Sequence, residues 1–336
     1  MLNKAGGTAC PMRTLISKSL FLLAMVGLSS CASLADQAQL RINQLQFVGS
    51  HNSYKKAMLA EDMAALQTRN PTAAASLDYE HVPLTQQLDM GLRKLELDVF
   101  YTPPTFTVGH VQQIDMQTHC TPLEVCLQQV LVWSRTNPQH IPLWISFNLK
   151  DQQIEGLPDP QPFTAAAFRE LDQLLSTELG AKLLWPREVI GSNGPQWPLL
   201  AEARGKLLLI LDEGGSKRSE YAANWAQRPM FVTVGPEHPA AAIMVLNNPL
   251  TQADEIRQMV QAGYMVRTRA DADTREARTG DTRKREAAFA SGAQAISTDY
   301  YLPASRFARP GQDPYAVNPE LLCNPVLTDA DCLVSE

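Results

Sequence analysis

The stretch Leu45-Gln46-Phe47-Val48-Gly49-Ser50-His51-Asn52 is a short apolar segment that ends in a histidine and an amide. A second apolar segment, 92–99, contains Glu96 and Asp98 at positions i and i+2. In an extended strand these two carboxylates point to the same side, because side chains alternate between the two faces. Both segments therefore predict β-strands that end in groups able to do chemistry.

Strand-like segments alternate with segments of helical periodicity along the chain. The predicted strands are 45–48, 93–99, 106–108, 143–149, 206–211, 242–246, 264–267 and 294–298. The predicted helices are 56–69, 123–134, 162–179, 253–262 and 282–291. Eight strands over roughly 255 residues predict an α/β fold, a somewhat irregular (β/α)8 TIM barrel. A doubly wound open sheet is the structural alternative, although no Gly-x-Gly-x-x-Gly turn supports nucleotide binding in it.

The barrel interpretation places functional groups at the carboxyl ends of the strands. The polar residues at those ends are His51, Asn52, Glu96, Asp98, His110, Asn148, Lys150, Asp212, Glu213, Arg267, Arg269 and Asp299. Carboxylate and amide oxygens are the ligands that hard divalent cations prefer, and imidazoles transfer protons near neutral pH. This set therefore predicts a site for metal-assisted cleavage of a phosphodiester.

Residues 1–30 are predicted to be a signal peptide. Three basic residues precede a short apolar core, 20–28, which is too short for a permanent membrane span. The segment Leu28-Ser29-Ser30-Cys31 resembles a bacterial lipobox, so Cys31 is predicted to carry a lipid that anchors the protein to a membrane. Cleavage after Ser33-Leu34-Ala35 is the alternative. We expect export, as an outer-membrane or cell-surface lipoprotein, or as a periplasmic or secreted protein without the lipid.

The composition is acidic. The formal net charge of the 336 residues is −6, and it becomes −9 when the three basic residues of the leader are removed. Such a surface has no general attraction for nucleic acid or anionic membranes. We therefore expect no nucleic-acid partner, and any membrane attachment would come from the lipid. No protein partner is predicted.

Four cysteines outside the leader region form two close pairs in the sequence, Cys120 with Cys126 and Cys323 with Cys332. In an oxidising compartment this spacing predicts two short-loop disulfides, with free buried thiols as the alternative. The pairs do not have the spacing of a structural zinc site.

Three further segments follow the predicted leader. Residues 31–44 are expected to be a spacer, and 45–305 are expected to form the barrel. The Pro-rich residues 306–336, which contain the last cysteine pair, are expected to be a tail that wraps onto the barrel rather than a second domain.

The order His-Asn, then Glu-x-Asp, then His resembles the phosphatidylinositol-specific phospholipase C superfamily of phosphodiesterases. Within it, the chain is most similar to the calcium-dependent, phospholipase-C1-like bacterial group. The resemblance is carried by 49–54, 87–99, 133–138, 266–273 and 291–301, which together extend over most of residues 45–302. It implies a barrel of the phospholipase-C-like phosphodiesterase type.

The resemblance also implies catalytic roles. His51 would donate to the phosphoryl oxygens, and His110 would be the general acid that protonates the departing glycerol oxygen. Glu96 would help to remove the proton of the attacking hydroxyl, which in inositol lipids is the 2-hydroxyl and leads to a cyclic phosphate. His119 competes with His110 for the acid role, but it lies beside Cys120 in a loop that we expect to be held away from the barrel mouth.

One Ca²⁺ ion is implied as cofactor, with Asn52, Glu96 and Asp98 as ligands. It would polarise the phosphate and lower the pKa of the attacking hydroxyl. Asn148 stands where eukaryotic relatives hold a metal-binding glutamate, so the site keeps an oxygen but loses one negative charge. Lys150 lies two residues further on and faces the same way, and it is expected to pair with the phosphate.

Arg267, Arg269 and Asp299 are further candidates for substrate contact. For the two arginines, structural pairing with Asp271 and Asp273 is the alternative.

The sequence thus predicts an exported, calcium-dependent phosphodiesterase of the phosphatidylinositol-specific phospholipase C type, which acts on a phospholipid or another phosphodiester. A glycerophosphodiester phosphodiesterase is one alternative, but that family usually has Arg-Gly after its first histidine, where this chain has Asn52-Ser53. The other alternative is a catalytically weak lipoprotein that only binds phosphodiesters, although a pure binder has no need of two positioned imidazoles.

Overall fold

In the computed structural model, which describes residues 39–329 and 332–336, eight parallel strands form a nearly closed barrel. They are β1 (Leu45–Ser50), β2 (Lys94–Thr102), β3 (Leu143–Leu149), β4 (Leu207–Leu211), β5 (Met230–Val232), β6 (Ile243–Val245), β7 (Met265–Arg269) and β8 (Ala295–Thr298). Each strand pairs with the next along the chain, and β1 pairs with β8. A single bridge, Thr233 with Ile243, joins β5 to β6. The predicted (β/α)8 barrel is confirmed.

The strands are almost wholly buried because the barrel interior covers one face and helices cover the other. The helices are Ala60–Arg69, Pro71–Leu77, Leu84–Asp89, Leu123–Thr136, Ala165–Leu179, Pro186–Val189, Leu200–Ala203, Gly215–Ala222, Pro249–Gln261, Arg275–Thr279 and Arg283–Ala290. Short 3₁₀ turns cover Ile42–Gln44, Gly180–Lys182, Trp225–Gln227 and Ser305–Phe307.

Two strands differ from the prediction. The segment predicted as a strand at 106–108 forms Thr105–Val108, but it pairs antiparallel with the end of β2 and makes no part of the parallel wall. The missing wall strand is β5, only three residues long. A run of three residues carries no periodicity that a sequence pattern can detect, so only its pairing with β4 reveals it. A two-residue hairpin, Ile190–Gly191 with Gly194–Pro195, lies outside the barrel sheet.

Strands β1 and β2 pair at Gly49, whose partner in the register is Lys94. A Cβ atom on Gly49 would lie 2.2 Å from Lys94 Cβ and 2.2 Å from Lys94 O, so an alanine there forces the two strands apart. This close approach brings His51 at the end of β1 beside the acids of β2.

Replacing Gly49 with alanine is therefore expected to lower the free energy of unfolding by about 3 kcal/mol, the upper range for overpacking of a dense interior. Gly214→Ala is the matched control, because its added Cβ meets no atom within 4 Å. Urea denaturation of both variants measures the difference. Equal midpoints for the two variants would show that β1 and β2 can separate at no cost.

The C-terminal segment packs onto the barrel. The strand Leu321–Cys323 pairs antiparallel with the first half of β1, and Tyr315 and Val317 are buried against the body of the protein. Both predicted disulfides are present, Cys120–Cys126 and Cys323–Cys332. The second disulfide closes the loop that follows Leu321–Cys323.

The predicted signal peptide and the lipidated Cys31 lie outside the described residues. Of the expected spacer 31–44, the structure describes 39–44, where Leu40 and Ile42 are buried. Within the described part of the chain, no helix combines the length and the apolar character that crossing a membrane requires.

Candidate active site

The carboxyl ends of the barrel strands bring together most of the residues expected there. His51 and Asn52 follow β1, Glu96 and Asp98 lie in β2, Asn148 and Lys150 lie at the end of β3, Arg267 and Arg269 lie in β7, and Asp299 follows β8. Asp98 and Asn148 are direct partners in the β2–β3 register. Five strands therefore present these side chains to one mouth.

His51 is oriented by Asp299. Its Nδ1 lies 2.9 Å from Asp299 Oδ1, and its Nε2 lies 3.6 Å from Glu96 Oε1. An ionised carboxylate only accepts hydrogen bonds, so Nδ1–H donates and Nε2 is the nitrogen left for chemistry. Burial, with Arg269 nearby, lowers the pKa of His51 well below its usual value. Asp299 was expected to contact substrate, but its buried carboxylate is instead engaged with His51.

Asp299 is itself held in place by Asp271, which the sequence suggested only as a structural partner of the two arginines. Asp271 Oδ1 accepts a hydrogen bond of 2.8 Å from the backbone N–H of Asp299. Its Oδ2 accepts hydrogen bonds from Thr298 Oγ1 and from the hydroxyl of Tyr315, at 3.2 Å for the latter. Burial, together with Asp299, raises the pKa of Asp271 to about 7. Because Tyr315 belongs to the C-terminal segment, that segment supports the mouth of the barrel.

His81 was also missed, because it lies in a loop without any periodic signal. Its Nε2 donates a 2.7 Å hydrogen bond to the backbone oxygen of His51. Its ring packs between Tyr79 and Tyr301 and is fully buried. Burial lowers the pKa of His81 from 6.5 to about 4, although Asp299 Oδ1 at 4.0 Å opposes the shift.

The low pKa of His81 predicts a loss of stability in acid. Between pH 6.5 and 4 the unfolded chain binds a proton on this histidine that the folded protein does not bind. The free energy of unfolding therefore decreases as the pH is lowered from 6.5 to 4. The depression corresponds to about 3 kcal/mol. We expect wild type to lose about that much more than His81→Gln between pH 7 and 4, measured by chemical denaturation at each pH. His238→Gln serves as the control and should follow wild type, whereas parallel curves for His81→Gln and wild type would contradict the assignment.

Two cations inside the barrel engage Glu96. Lys94 Nζ lies 2.5 Å and Arg267 Nη2 lies 2.8 Å from Glu96 Oε2. Burial would raise the pKa of Glu96, but Lys94 and Arg267 outweigh it and hold that pKa well below the usual range. Burial lowers the pKa of Lys94 to about 8. Arg267 also donates to Asn247 Oδ1 at 2.6 Å, so this buried arginine, expected to contact substrate, is a structural partner of Glu96.

Three of the expected calcium ligands present oxygens that no hydrogen-bond donor occupies among the described residues. Asn52 Nδ2 donates to Tyr79 at 2.8 Å and Asn148 Nδ2 donates to Asp212 O at 3.1 Å, which leaves both amide oxygens free. Asp98 Oδ2 is buried and has no hydrogen bond within the described part of the chain. Lys150 Nζ lies 2.8 Å from this oxygen, close enough for an ion pair but outside hydrogen-bond geometry.

Free carboxylate and amide oxygens are the donors that Ca²⁺ prefers, so the residues present fit a calcium ion. The fourth expected ligand is Glu96, which could offer Oε1 because its Oε2 is held by Lys94 and Arg267. Across 39–329 and 332–336, no group of three or more His, Cys, Asp and Glu side chains has the arrangement of a metal site. A calcium site here would therefore depend on the amides of Asn52 and Asn148 as well as on the two carboxylates.

His110 follows the antiparallel strand and is held by a second acid. Its Nδ1 lies 3.0 Å from Asp115 Oδ2, and Asp115 Oδ1 lies 2.8 Å from Lys55 Nζ. Burial would raise the pKa of Asp115, but His110 and Lys55 hold it below its usual value. Lys55 Nζ also lies 5.2 Å from the centre of the Tyr79 ring, which stacks on His51. The two histidines thus belong to one connected group of side chains.

His119, the competing candidate for the acid role, has its Nε2 2.6 Å from the backbone oxygen of His81. This contact uses the imidazole within the loop structure, so the geometry favours His110 over His119.

Glu213 and Asp212 were also expected at strand ends, and they have different partners. Glu213 pairs with Lys217 at 2.9 Å and accepts from the backbone of Leu149, while Asp212 lies 3.8 Å from Arg267.

The family model for Ca²⁺-dependent phosphoinositide phospholipase C matches residues 40–104 and 101–325 of this chain. Among solved structures, the chain is similar to the calcium-dependent phosphoinositol-specific phospholipase C of Pseudomonas sp. The two are 18% identical with a TM-score of 0.56, over 86% of this chain and 96% of the other.

A second similar structure is the Ca²⁺-dependent phosphatidylinositol-specific phospholipase C of Streptomyces antibioticus. It is 18% identical with a TM-score of 0.55, over 78% of this chain and 95% of the other. At this identity the two structures establish the shared fold. Comparison with curated proteins gave no match.

Proposed function

The chain belongs to the family of Ca²⁺-dependent phosphoinositide phospholipases C, and from this premise we propose that it is an exported phosphodiesterase that cleaves the phosphodiester of an inositol phospholipid or a related lipid. The observation that carries the proposal is the pair of histidines, each oriented through Nδ1 by a carboxylate: His51 by Asp299 and His110 by Asp115. A protein that only binds phosphodiesters has no need of two imidazoles oriented in this way.

His51 is proposed as the group that takes the proton of the attacking hydroxyl. The sequence suggested Glu96 for this role and a phosphate-stabilising role for His51. However, Glu96 Oε2 is already occupied by Lys94 and Arg267 at 2.5 and 2.8 Å. The hydrogen bond to Asp299 leaves His51 Nε2 with a lone pair that faces the site. The contacts therefore favour His51 as the base and Glu96 as a fixed negative charge beside it.

His110 is proposed as the general acid. With Nδ1 held by Asp115, its Nε2 is the nitrogen that can deliver a proton to the departing glycerol oxygen. The Lys55 ammonium fixes Asp115 on its other oxygen and so keeps the His110 ring in one orientation. Removal of the leaving-group charge by a positioned acid is worth about 10²- to 10⁴-fold in rate.

The Ca²⁺ ion would be held by Asn52, Glu96, Asp98 and Asn148, and when bound it supplies positive charge that stabilises the phosphoryl oxygens. Lys150 and Arg269 lie on the same mouth and are proposed to pair with the phosphate. Arg269 Nη2 is only loosely engaged, 3.9 Å from Asp299 Oδ2. Its remaining donors are available to an anion because guanidinium groups offer five N–H bonds.

Export and lipid anchoring through Cys31 are part of the proposal. The two disulfides support an oxidising location, because such bonds are rare in the cytoplasm. A lipid anchor would hold the protein at a membrane surface.

The test is the release of water-soluble inositol phosphate from phosphatidylinositol vesicles, in the presence of Ca²⁺ or a chelator. We expect release that requires Ca²⁺. No release in either condition from folded protein would refute the activity on inositol lipids. Hydrolysis of a glycerophosphodiester in the same assay series would instead identify the alternative enzyme class.

A further inference from the structure

The ion pair between Lys150 and Asp98 occupies an oxygen that the calcium site needs. Lys150 Nζ lies 2.8 Å from Asp98 Oδ2, the same buried atom that has no hydrogen bond in the described part of the chain. Asp98 and Glu96 are the two acids among the proposed ligands, and Glu96 Oε2 is already held by Lys94 and Arg267. A cation therefore already neutralises the negative charge of Asp98.

Lys150 differs from the other cations at this site in its freedom to move. The side chain of Lys94 is 0% exposed and contacts three oxygens, Glu96 Oε2, Ser50 O and Ser297 Oγ. The side chain of Lys150 is 25% exposed, and Asp98 is its sole ion-pair partner among the described residues. Of the three cations paired with Glu96 and Asp98, Lys150 is thus the one that can leave without breaking buried hydrogen bonds.

Calcium and the Lys150 ammonium cannot share Asp98 Oδ2 at low cost. Calcium ligands lie at about 2.3–2.6 Å from the ion, so a bound Ca²⁺ would lie within a few ångströms of the ammonium. Like charges at such a separation repel strongly in a partly buried site. Three cations, Lys94, Arg267 and Lys150, face the three carboxylates of Glu96, Asp98 and Asp212, so these groups already balance in charge before the ion arrives.

We propose that Lys150 competes with Ca²⁺ for Asp98, and that an anionic phosphate releases this competition by drawing Lys150 away. Calcium and the phosphate group then bind cooperatively, each raising the affinity for the other by the same factor. The free protein holds calcium weakly, and the metal site reaches full strength only when a phosphodiester is present. This inference rests on the proposed function for the identities of the ion and the anion, but not on turnover.

The test is isothermal titration calorimetry of Ca²⁺ into the full chain, with and without saturating glycerol 3-phosphate as the probe anion. In wild type we expect the anion to tighten Ca²⁺ binding by about tenfold, within the usual range of coupling between two sites. In Lys150→Met we expect Ca²⁺ to bind about tenfold more tightly without the anion, and the anion to add no further effect.

Lys217→Met is the matched control. Lys217 is 20% exposed and pairs with Asp151 and Glu213, neither of which is a proposed ligand. This variant should keep both the affinity and the anion effect of wild type. Lys150→Gln provides a second test variant if Lys150→Met fails to fold, which near-ultraviolet circular dichroism will show.

The proposal is overturned if the Lys150 variants bind Ca²⁺ no more tightly than wild type, if the anion effect persists in them, or if no variant binds Ca²⁺ at all. Its failure is separable from failure of the proposed function, because calorimetry needs no turnover. Intact coupling without cleavage of inositol lipid would refute the activity alone, and calcium-dependent cleavage without coupling would refute the role of Lys150 alone.

Discussion

The His110→Ala variant is expected to cleave phosphatidylinositol about 10³-fold more slowly than wild type, within the range found for loss of a general acid. The departing glycerol oxygen is strongly basic and leaves slowly without a proton. In the folded protein the His110 ring is fixed by Asp115 and Lys55, and the other imidazole of the site, His51, is held by Asp299 in the proposed role of base. Initial rates on phosphatidylinositol vesicles with saturating Ca²⁺ measure the loss.

A substrate with a nitrophenol leaving group separates the two histidines. Nitrophenolate leaves without protonation, so His110→Ala should recover most of its rate on that substrate. His51→Ala should remain slow on both substrates, because the attacking hydroxyl must still lose its proton. His238→Ala, outside the site, should match wild type throughout. If His110→Ala loses the same factor in rate on both substrates, His110 is not the general acid.

The second large effect is expected for Asp98→Asn, which should reduce calcium-dependent turnover by about 10²- to 10³-fold, since a metal ion contributes several kcal/mol of charge stabilisation. Asp98 Oδ2 accepts no hydrogen bond among the described residues and pairs with the partly exposed Lys150, whereas Glu96 Oε2 is held by Lys94 and Arg267. Replacing the Asp98 carboxylate with a neutral amide therefore leaves Glu96 as the only carboxylate among the proposed ligands, and Lys94 and Arg267 already hold one of its oxygens.

The rate of Asp98→Asn should also respond little to Ca²⁺ over the range that activates wild type. Titration of activity against Ca²⁺ concentration, with calorimetry of Ca²⁺ binding, measures both effects. Asp151→Asn is the control, because Asp151 pairs with Lys217 outside the proposed ligand set. A normal calcium response in Asp98→Asn would show that the ion binds elsewhere or is not used.

The barrel was predictable because its signal is local. Long apolar strands such as β3 and β4 alternate with helical segments, and each pattern is visible in a short window of sequence. The same locality explains the errors. The strand Thr105–Val108 has the composition of a wall strand, but its partner is the end of β2, and β5 is too short to be detected. Pairing direction is a property of two segments and cannot be read from one.

The sequence alone determined the candidate residues for the chemistry: the motif His51-Asn52, the pair Glu96 and Asp98, and His110. These residue types are sparse in apolar strands, so their position at strand ends is itself a signal. Their electrostatic partners were decided by the tertiary structure. Asp299 was expected to contact the substrate, but it accepts a hydrogen bond from His51. Arg267 was also expected to contact the substrate, but it donates a hydrogen bond to Glu96.

The physical reason is that charge pairing acts through space and depends on which strands are neighbours. Lys94 and Arg267 are 173 positions apart in the chain and reach the same carboxylate oxygen because β2 and β7 face the same barrel interior. His81 reaches the backbone of His51 only through the packing of its loop. A sequence shows which side chains can donate, accept or bind a metal, whereas the closed barrel decides which of them neutralise one another and which remain free to act.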